Sequence, residues 1–336
     1  MGFKEAIYYR KLADKKAHCI LCPHSCFINN GETGKCIVRQ NIDGNLKSMF
    51  YGKPHIMRHL PIESFGFYHV MPSKEALSLG IVGNNLVKKI EKNKAEIGGN
   101  KGRLDVEDLD KIPKLNQNPM QVIQELEKSK AEMMVYAHGE PIIFCEYIKD
   151  IISKSNPEIK HLIVSRGFAE KEAAREIISS IDGANIEIDS IGDEFYQKNY
   201  GIKIEPILEM IKMIHSEGKW LEITIKVHAG GYDEIYETRK LVSWIFNNLS
   251  NSVPLHLKFA EGGGDIDILK RARKSAMNAG MNYVYIDNLA ADGENTTFCP
   301  NCKNPLIIRR EARKARESKI IGGECSCGEK IPGIWQ

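Results

Sequence analysis

Short apolar runs alternate with longer amphipathic stretches along most of the chain between residues 77 and 290. The first run, at residues 77–83, is short and almost uncharged, which is typical of a strand buried in a parallel sheet. The predicted strands span residues 77–82, 132–137, 161–165, 184–189, 220–227, 254–259 and 283–287. The intervening stretches repeat apolar residues at helical spacing. The predicted helices span residues 119–131, 142–155, 170–181, 204–216, 233–249 and 265–279.

This β-α alternation predicts an α/β fold with a parallel sheet, and the number of repeats favours a complete or partial TIM-like (β/α) barrel. We divide the chain into an N-terminal metal-binding unit at 1–75, a barrel at 76–290 and a C-terminal unit at 291–336. Gly44 and Gly52 predict short hairpins in the first unit. The polar stretch 84–118 predicts an exposed insertion.

The composition is typical of a soluble globular protein. Hydrophobic residues make up 42% of the 336 residues and charged residues 27%, and no apolar run is long enough to span a bilayer. The first residues lack the layout of a secretory signal, so we expect a cytoplasmic protein without a membrane partner. The net charge of +3 says little about partners.

Cysteine placement is the strongest chemical signal. Eight of the nine cysteines fall into two sets of four, Cys19, Cys22, Cys26, Cys36 and Cys299, Cys302, Cys325, Cys327. Tight spacing without a secretory signal favours metal binding over disulfides, because a reducing compartment leaves thiols free for a cation. We predict two structural zinc sites. For the first set an iron–sulfur cluster is the alternative, and His24 is an alternative ligand.

The C-terminal set has a C-x2-C pair and a C-x-C pair, which predicts a ribbon-like zinc site. Glycine patterns that bind a dinucleotide or phosphate are absent after the predicted strands. The glycine run at 261–265 lacks the spaced glycines of a dinucleotide site and the Lys-Ser/Thr of a phosphate loop, so we interpret it as a flexible turn.

Several stretches in the same order resemble one family, the radical SAM enzymes of the AmmeMemoRadiSam system, which are related to pyruvate formate-lyase activating enzymes. The matching stretches are 19–26, 34–39, 77–83, 136–147, 167–168, 194–196, 293–302 and 331–335. The resemblance implies a radical SAM-type barrel that binds S-adenosylmethionine (SAM) and a [4Fe-4S] cluster. It also implies that Tyr136, Glu140 and Pro141 hold SAM.

The chain departs from this family at the cluster. Where the family carries C-x3-C-x2-C, the aligned residues are Asn84, Lys88 and Glu91. None of these side chains supplies the soft thiolate that such a cluster requires. We therefore do not expect a [4Fe-4S] cluster at the usual barrel site.

Other residues allow less specific interpretations. Tyr136 and Glu140 either hold SAM or pack the barrel. His138, His228 and His256 lie near predicted strand ends and form either a new site or hydrogen-bonded structure. Cys145 is expected to be a small buried hydrophobe.

The sequence leads to three functional hypotheses. The first is a paralogue that has lost its cluster and serves as a binding or scaffolding subunit for a protein partner. The second is an enzyme that binds SAM and uses a non-standard cluster site, for example the N-terminal cysteines. The third is a nucleic-acid or ribosome-binding zinc protein whose basic run at 308–319 contacts phosphates; a solvated ribbon edge is the alternative for that run.

Overall fold

The structure is a computed structural model that describes residues 3–87, 112–227, 234–260, 264–287, 293–309 and 315–335. Two small antiparallel sheets open the chain. Strands β1 (Lys4–Glu5), β6 (Asn45–Ser48) and β5 (Arg39–Ile42) form one, and β2 (Tyr9–Lys11), β3 (Ala17–Cys19) and β4 (Phe27–Ile28) form the other. Gly44 makes the turn of the β5–β6 hairpin with a φ of 82°, which confirms the hairpin predicted there. The hairpin predicted at Gly52 is wrong, because the strands at 45–48 and 56–61 lie in different sheets.

One eight-stranded sheet dominates the molecule. Its strands lie in chain order from β7 at one edge to β14 at the other; β7 is antiparallel to β8, and every other pair is parallel. The strands are β7 (Ile56–Pro61), β8 (Glu75–Gly80), β9 (Met133–Tyr136), β10 (Lys160–Ser165), β11 (Gly183–Ile188), β12 (Trp220–Val227), β13 (Leu255–Phe259) and β14 (Val284–Ile286). In the described part of the chain β7 and β14 do not pair with each other, so the barrel is open.

Within the described ranges, seven α-helices connect and cover the parallel strands. They are α1 (Pro119–Ser129), α2 (Cys145–Ile152), α3 (Lys171–Ser180), α4 (Asp193–Asn199), α5 (Glu205–Ser216), α6 (Glu234–Asn248) and α7 (Ile266–Asn278). Helix α1 shows how the sequence sets the two ends of a helix. Asn118 and Gln121 form a reciprocal capping box, Pro119 follows at the first helical position, and Lys130 ends the helix in the left-handed conformation.

Strands in unbroken chain order require that right-handed crossovers place the helices on one face, as in a barrel. That helical face holds the largest apolar cluster, to which alternate strand residues such as Leu79, Ile186 and Ile223 contribute. The opposite face, which we call the inner face, carries the other alternate residues, including Asn185, Glu222 and His256.

Residues 62–71, which we call the crossing segment, pack against the inner face. Asn185 donates its side-chain amide to the carbonyls of Phe65 and Gly66, and Glu222 accepts the backbone amides of Tyr68 and His69. Gly66 must be glycine because its φ is 69° and a Cβ atom would lie 2.2 Å from Nδ2 of Asn185. The segment thus fills the interior of the open barrel.

The C-terminal unit covers the crossing segment. Strands β15 (Thr297–Phe298), β16 (Pro305–Arg309) and β17 (Ala315–Ser318) form an antiparallel sheet. Its core includes Cys299 and Leu306 together with Tyr68 and Tyr285 of the barrel. Further along the chain, Val70 and Ile334 form a parallel bridge. The ribbon and residues 331–335 are therefore packed onto the barrel rather than separate from it.

The predicted strands are confirmed, with β12 matching at both ends and the others shifted by no more than a few residues. Strand β7 and helix α4 were not predicted, and the predicted helix at 142–155 is a 3-10 turn (Pro141–Phe144) followed by the shorter α2. The glycine run at 261–263 and most of the insertion at 84–118 lie outside the described residues.

Candidate functional site

The loop after β8 is where the family resemblance would place cluster ligands. Asn84 accepts the backbone amide of Leu86 at 2.8 Å. Asn85 is 1% exposed, donates its side-chain amide to the carbonyl of Phe168 at 2.7 Å, and accepts from the His24 imidazole at 2.7 Å through its own carbonyl. Amide hydrogen bonds therefore hold this loop in place. Lys88 and Glu91 lie outside the described residues.

The N-terminal cysteines lie beside the same loop. A Cβ atom on Gly83 would lie 3.0 Å from the carbonyl oxygen of Cys36, and His24 between Cys22 and Cys26 binds Asn85. Burial raises the pKa of the Cys36 thiol to about 11 and raises that of Cys22 further.

In the described part of the chain, three or more ligand atoms come within 4.8 Å of one another only in the C-terminal cysteine set. The N-terminal metal site, with ligands Cys19, Cys22, Cys26 and Cys36, therefore stays a prediction.

The C-terminal cysteines have the geometry of a metal centre. All four sulfur atoms of Cys299, Cys302, Cys325 and Cys327 lie within 4.8 Å of one another. The sulfurs of Cys299 and Cys327 are 3.6 Å apart, as are those of Cys302 and Cys325. A tetrahedral zinc ion with Zn–S bonds of about 2.3 Å has sulfur–sulfur edges of about 3.8 Å. This group of thiols can hold one metal ion.

The three residues that the resemblance assigns to SAM are all buried. Glu140 is 1% exposed and accepts from the Ser165 hydroxyl at 2.7 Å and from the Arg166 backbone amide at 2.9 Å. Tyr136 belongs to the helix-facing core and its hydroxyl is 3.0 Å from Nδ1 of His161. Pro141 begins the 3-10 turn. In this structure their contacts are with neighbouring protein groups.

Charged side chains gather where strands β10 to β13 end, on the inner face. We call this group the charged rim: Arg166, Glu187, Asp189, Lys226 and Lys258. Glu187 lies 2.7 Å from the ammonium of Lys226 and 2.9 Å from that of Lys258, and Arg166 is paired with Asp189. The side chains of Lys226 and Lys258 are 22% and 30% exposed, so solvent reaches them.

Electrostatics at the rim follow from partial burial. Burial would raise the pKa of Glu187, but the two lysines lower it far below its usual range. Burial also lowers the pKa of Lys226, with Glu187 acting in the opposite direction. Because the carboxyl ends of parallel strands are the usual place for ligands, the rim is a candidate anion-binding site.

Histidines near strand ends serve the structure in different ways. His256 lies between Glu222, at 2.7 Å, and Asp287, at 3.1 Å. His138 is 3.1 Å from the Ser78 hydroxyl, and burial lowers its pKa. The two side chains are thus not brought into one site, and His228 lies outside the described residues. Cys145 is 2% exposed, as expected for a buried hydrophobe.

The basic run contributes a buried arginine. Arg309 is 2% exposed, donates to the carbonyl of Asn295 and the hydroxyl of Thr297, and stacks over the ring of Tyr68 at 4.3 Å. Arg309 is therefore unavailable to phosphates, because it joins the ribbon to the crossing segment. Residues 310–314 lie outside the described residues.

Comparison with known proteins gives one full-length relative. The uncharacterized protein MJ0808 of Methanocaldococcus jannaschii is 30% identical over 344 aligned positions, which cover 98% of each chain. The chain belongs to the MJ0808 family. No protein-family model matches it.

Solved structures resemble this MJ0808 family member only in part. A domain of pyruvate-formate lyase-activating enzyme from Bacteroides vulgatus has 15% identity and a TM-score of 0.40, covering 46% of this chain and 98% of that one. SuiB of Streptococcus suis, bound to S-adenosylmethionine, has 11% identity and a TM-score of 0.39, and the match covers 50% of this chain and 40% of SuiB. Because these TM-scores are below 0.5, they do not by themselves establish a superfamily for the MJ0808 family.

The described helices of this MJ0808 family member are all too short or too polar to cross a membrane.

Proposed function

We propose that the chain is a divergent radical SAM-type protein, related to the AmmeMemoRadiSam enzymes, that has lost its cluster ligands and acts as a non-catalytic binding or scaffolding subunit in the cytoplasm. The observation that carries the proposal is the loop after β8. Asn84 and Asn85 hold it with amide hydrogen bonds, and the sequence contains no cysteine between Cys36 and Cys145. Oxygen and nitrogen groups do not replace thiolates around iron in such a cluster.

The charged rim supports a binding role. It places two ammonium groups and a guanidinium beside the carboxylates of Glu187 and Asp189, so cations outnumber anions by one, and Lys226 and Lys258 are partly exposed. Such groups bind carboxylates or phosphates. The proposed ligand is therefore a small molecule with an anionic group. A protein partner and structural zinc at the C-terminal cysteines complete the proposed role.

A second candidate is an enzyme whose cluster is held by the N-terminal cysteines. The contact of Cys36 with Gly83 and the hydrogen bond of His24 with Asn85 favour it, because they place this cysteine unit beside the loop after β8. Iron at that position would lie beside the carboxyl end of β8, where SAM would bind in an active member of the resembled family.

Anaerobic purification followed by iron and sulfide analysis tests both candidates. We expect zinc and no iron, and no cleavage of SAM in the presence of dithionite. Iron that disappears in Cys22→Ser would support the second candidate. The non-catalytic proposal would be contradicted if iron persists in the Cys22→Ser variant, or if that variant cleaves SAM.

Calorimetry with SAM and with inorganic phosphate tests the rim. If either binds, Lys258→Ala should weaken binding by about tenfold, since a hydrogen bond to a charged group contributes about 1.5 kcal/mol or more. The matched control is Lys160→Ala, at the opposite end of β10. Equal affinity in the two variants would remove the rim from the proposed site.

A further inference from the structure

The small sheet formed by β2, β3 and β4 exposes an aromatic pair. Arg10 pairs with His18, and His18 pairs with Phe27, so the three side chains lie in one row on one face. The rings of His18 and Phe27 are parallel, with an interplanar angle of 7° and centroids 4.2 Å apart. The opposite face is buried through Ala17 and Ile28.

Phe27 is a large apolar side chain that lies mostly exposed on the surface. It is 71% exposed, so its ring is held by the imidazole on one side and faces solvent elsewhere. A single exposed phenylalanine is ordinary on a protein surface. What distinguishes this one is that its ring orientation is fixed by the stacked His18, which in turn is 2.6 Å from the Ser25 hydroxyl.

Positive charge is concentrated around the same sheet. Residues 9–28, which contain this sheet, include four Lys and Arg against one Asp and no Glu, whereas the whole chain contains 47 Lys and Arg against 44 Asp and Glu. Lys11 and Lys15 are paired with Glu5 and Asp43. Arg10 and Lys16 are exposed and make no ion pair within the described part of the chain. Their charges are thus available to an anionic partner.

We propose that the row Arg10, His18 and Phe27, with Lys16 beside it, binds single-stranded nucleic acid. A base stacks on the open face of Phe27, and Arg10 and Lys16 contact the backbone phosphates. Base–aromatic stacking combined with a positive surface is the chemistry of single-strand recognition, since every unpaired base exposes a ring face. In a duplex those faces are covered by neighbouring bases. The site shares no residue with the charged rim.

Fluorescence anisotropy with labelled oligo-U and oligo-dT of about 12 nucleotides tests the proposal on the full chain. We expect binding at about 50 mM salt that weakens strongly by about 200 mM. Phe27→Ala should weaken binding by about tenfold. Phe27→Trp, which keeps an aromatic ring at this position, should bind as the wild type does. Comparing the two oligonucleotides shows whether RNA or DNA is preferred.

Matched controls separate stacking and charge from a general loss of structure. Phe246→Ala removes a phenylalanine that is 42% exposed on α6 and should leave binding unchanged. Arg10→Gln should reduce the salt slope by about 0.7, while Arg271→Gln on α7 should not. Unchanged thermal unfolding would show that Phe27→Ala is folded.

Three results would overturn the proposal. They are the absence of an anisotropy change at low salt, equal affinity of Phe27→Ala and Phe246→Ala, and equal affinity for a duplex of the same sequence.

Discussion

Nε2 of His256 lies 2.7 Å from Oε2 of Glu222, and neither side chain has exposed surface. The other imidazole nitrogen is 3.1 Å from Asp287. Burial alone would lower the pKa of His256, but the carboxylates of Asp287 and Glu222 raise it to about 9. The imidazole is therefore a cation at neutral pH, held between two acids. Glu222 also accepts the amides of the crossing segment, so this ion pair anchors the interior of the barrel.

His256→Gln should lower the free energy of unfolding by about 3 kcal/mol near pH 6, because it leaves buried carboxylates without their cation. The His256 contribution is complete below the ordinary pKa of 6.5 and is lost as the pH rises through about 9. The pKa of Glu222 is lowered, so its contribution is present above 4.5 and is lost as the pH falls.

Denaturant unfolding of the wild type and of His256→Gln between about pH 5 and 10 checks this dependence. The difference between the two proteins should shrink towards the alkaline end. A difference that is constant across this range would mean that the imidazole is neutral in the folded protein.

The Arg39–Glu146 pair should be a second stabilising centre. Both side chains are 1% exposed, and Glu146 also accepts the backbone amide of Ile7 at 2.9 Å. Glu146→Gln should destabilise the protein by about 3 kcal/mol, because an arginine is left buried without its counter-charge. Thermal unfolding measures the loss. The control is Glu176→Gln, which removes an exposed partner of Lys149 and should cost less than about 1 kcal/mol.

Loss of one C-terminal thiol should release the bound metal. We expect Cys302→Ser to lower the zinc content by about one equivalent per chain and to lower the melting temperature, since metal binding contributes directly to the folding of small units. Metal analysis by mass spectrometry gives the content. Cys145→Ala, which alters a buried thiol outside both sets, should retain all of the metal. Unchanged zinc in Cys302→Ser would contradict the predicted site.

Arg309→Ala should loosen the ribbon from the barrel. It removes hydrogen bonds to Asn295 and Thr297 and the stacking on Tyr68, for an expected loss of about 3 kcal/mol. Limited proteolysis should then cut between barrel and ribbon sooner than in the wild type. Lys319→Ala, on the exposed side of the ribbon, is the control. Equal cleavage rates in the two variants would show that Arg309 does not join the two parts.

Periodicity alone located the strands and most helices, because apolar residues at regular spacing are a local property of the sequence. In β12 the alternation of Glu222, Thr224 and Lys226 with apolar residues also signals a polar inner face. The β-α alternation identifies that run as a strand but does not by itself assign its two faces, and the charged rim was missed for that reason. The signal was present in the spacing.

The packing of the crossing segment against the inner face could not be predicted from local sequence patterns. Its partners are Asn185, Glu222 and Arg309, which lie far along the chain, and residues 62–71 by themselves suggest only a loop or hairpin. The spacing of the C-terminal cysteines predicted a group that the structure brings together, since four thiols in two close pairs define a site almost without context. For the N-terminal set the same reasoning gives a prediction that metal analysis can test.

The contact of His69 with the carbonyl of Pro332 spans 263 positions of sequence. During synthesis on the ribosome, the interior of the barrel therefore lacks its cover until residues 331–335 have emerged. Contacts so distant in sequence are formed late and slow the folding of a domain. A nascent chain stalled before residue 331 should consequently remain susceptible to protease in the crossing segment and become resistant once residues 331–335 have emerged.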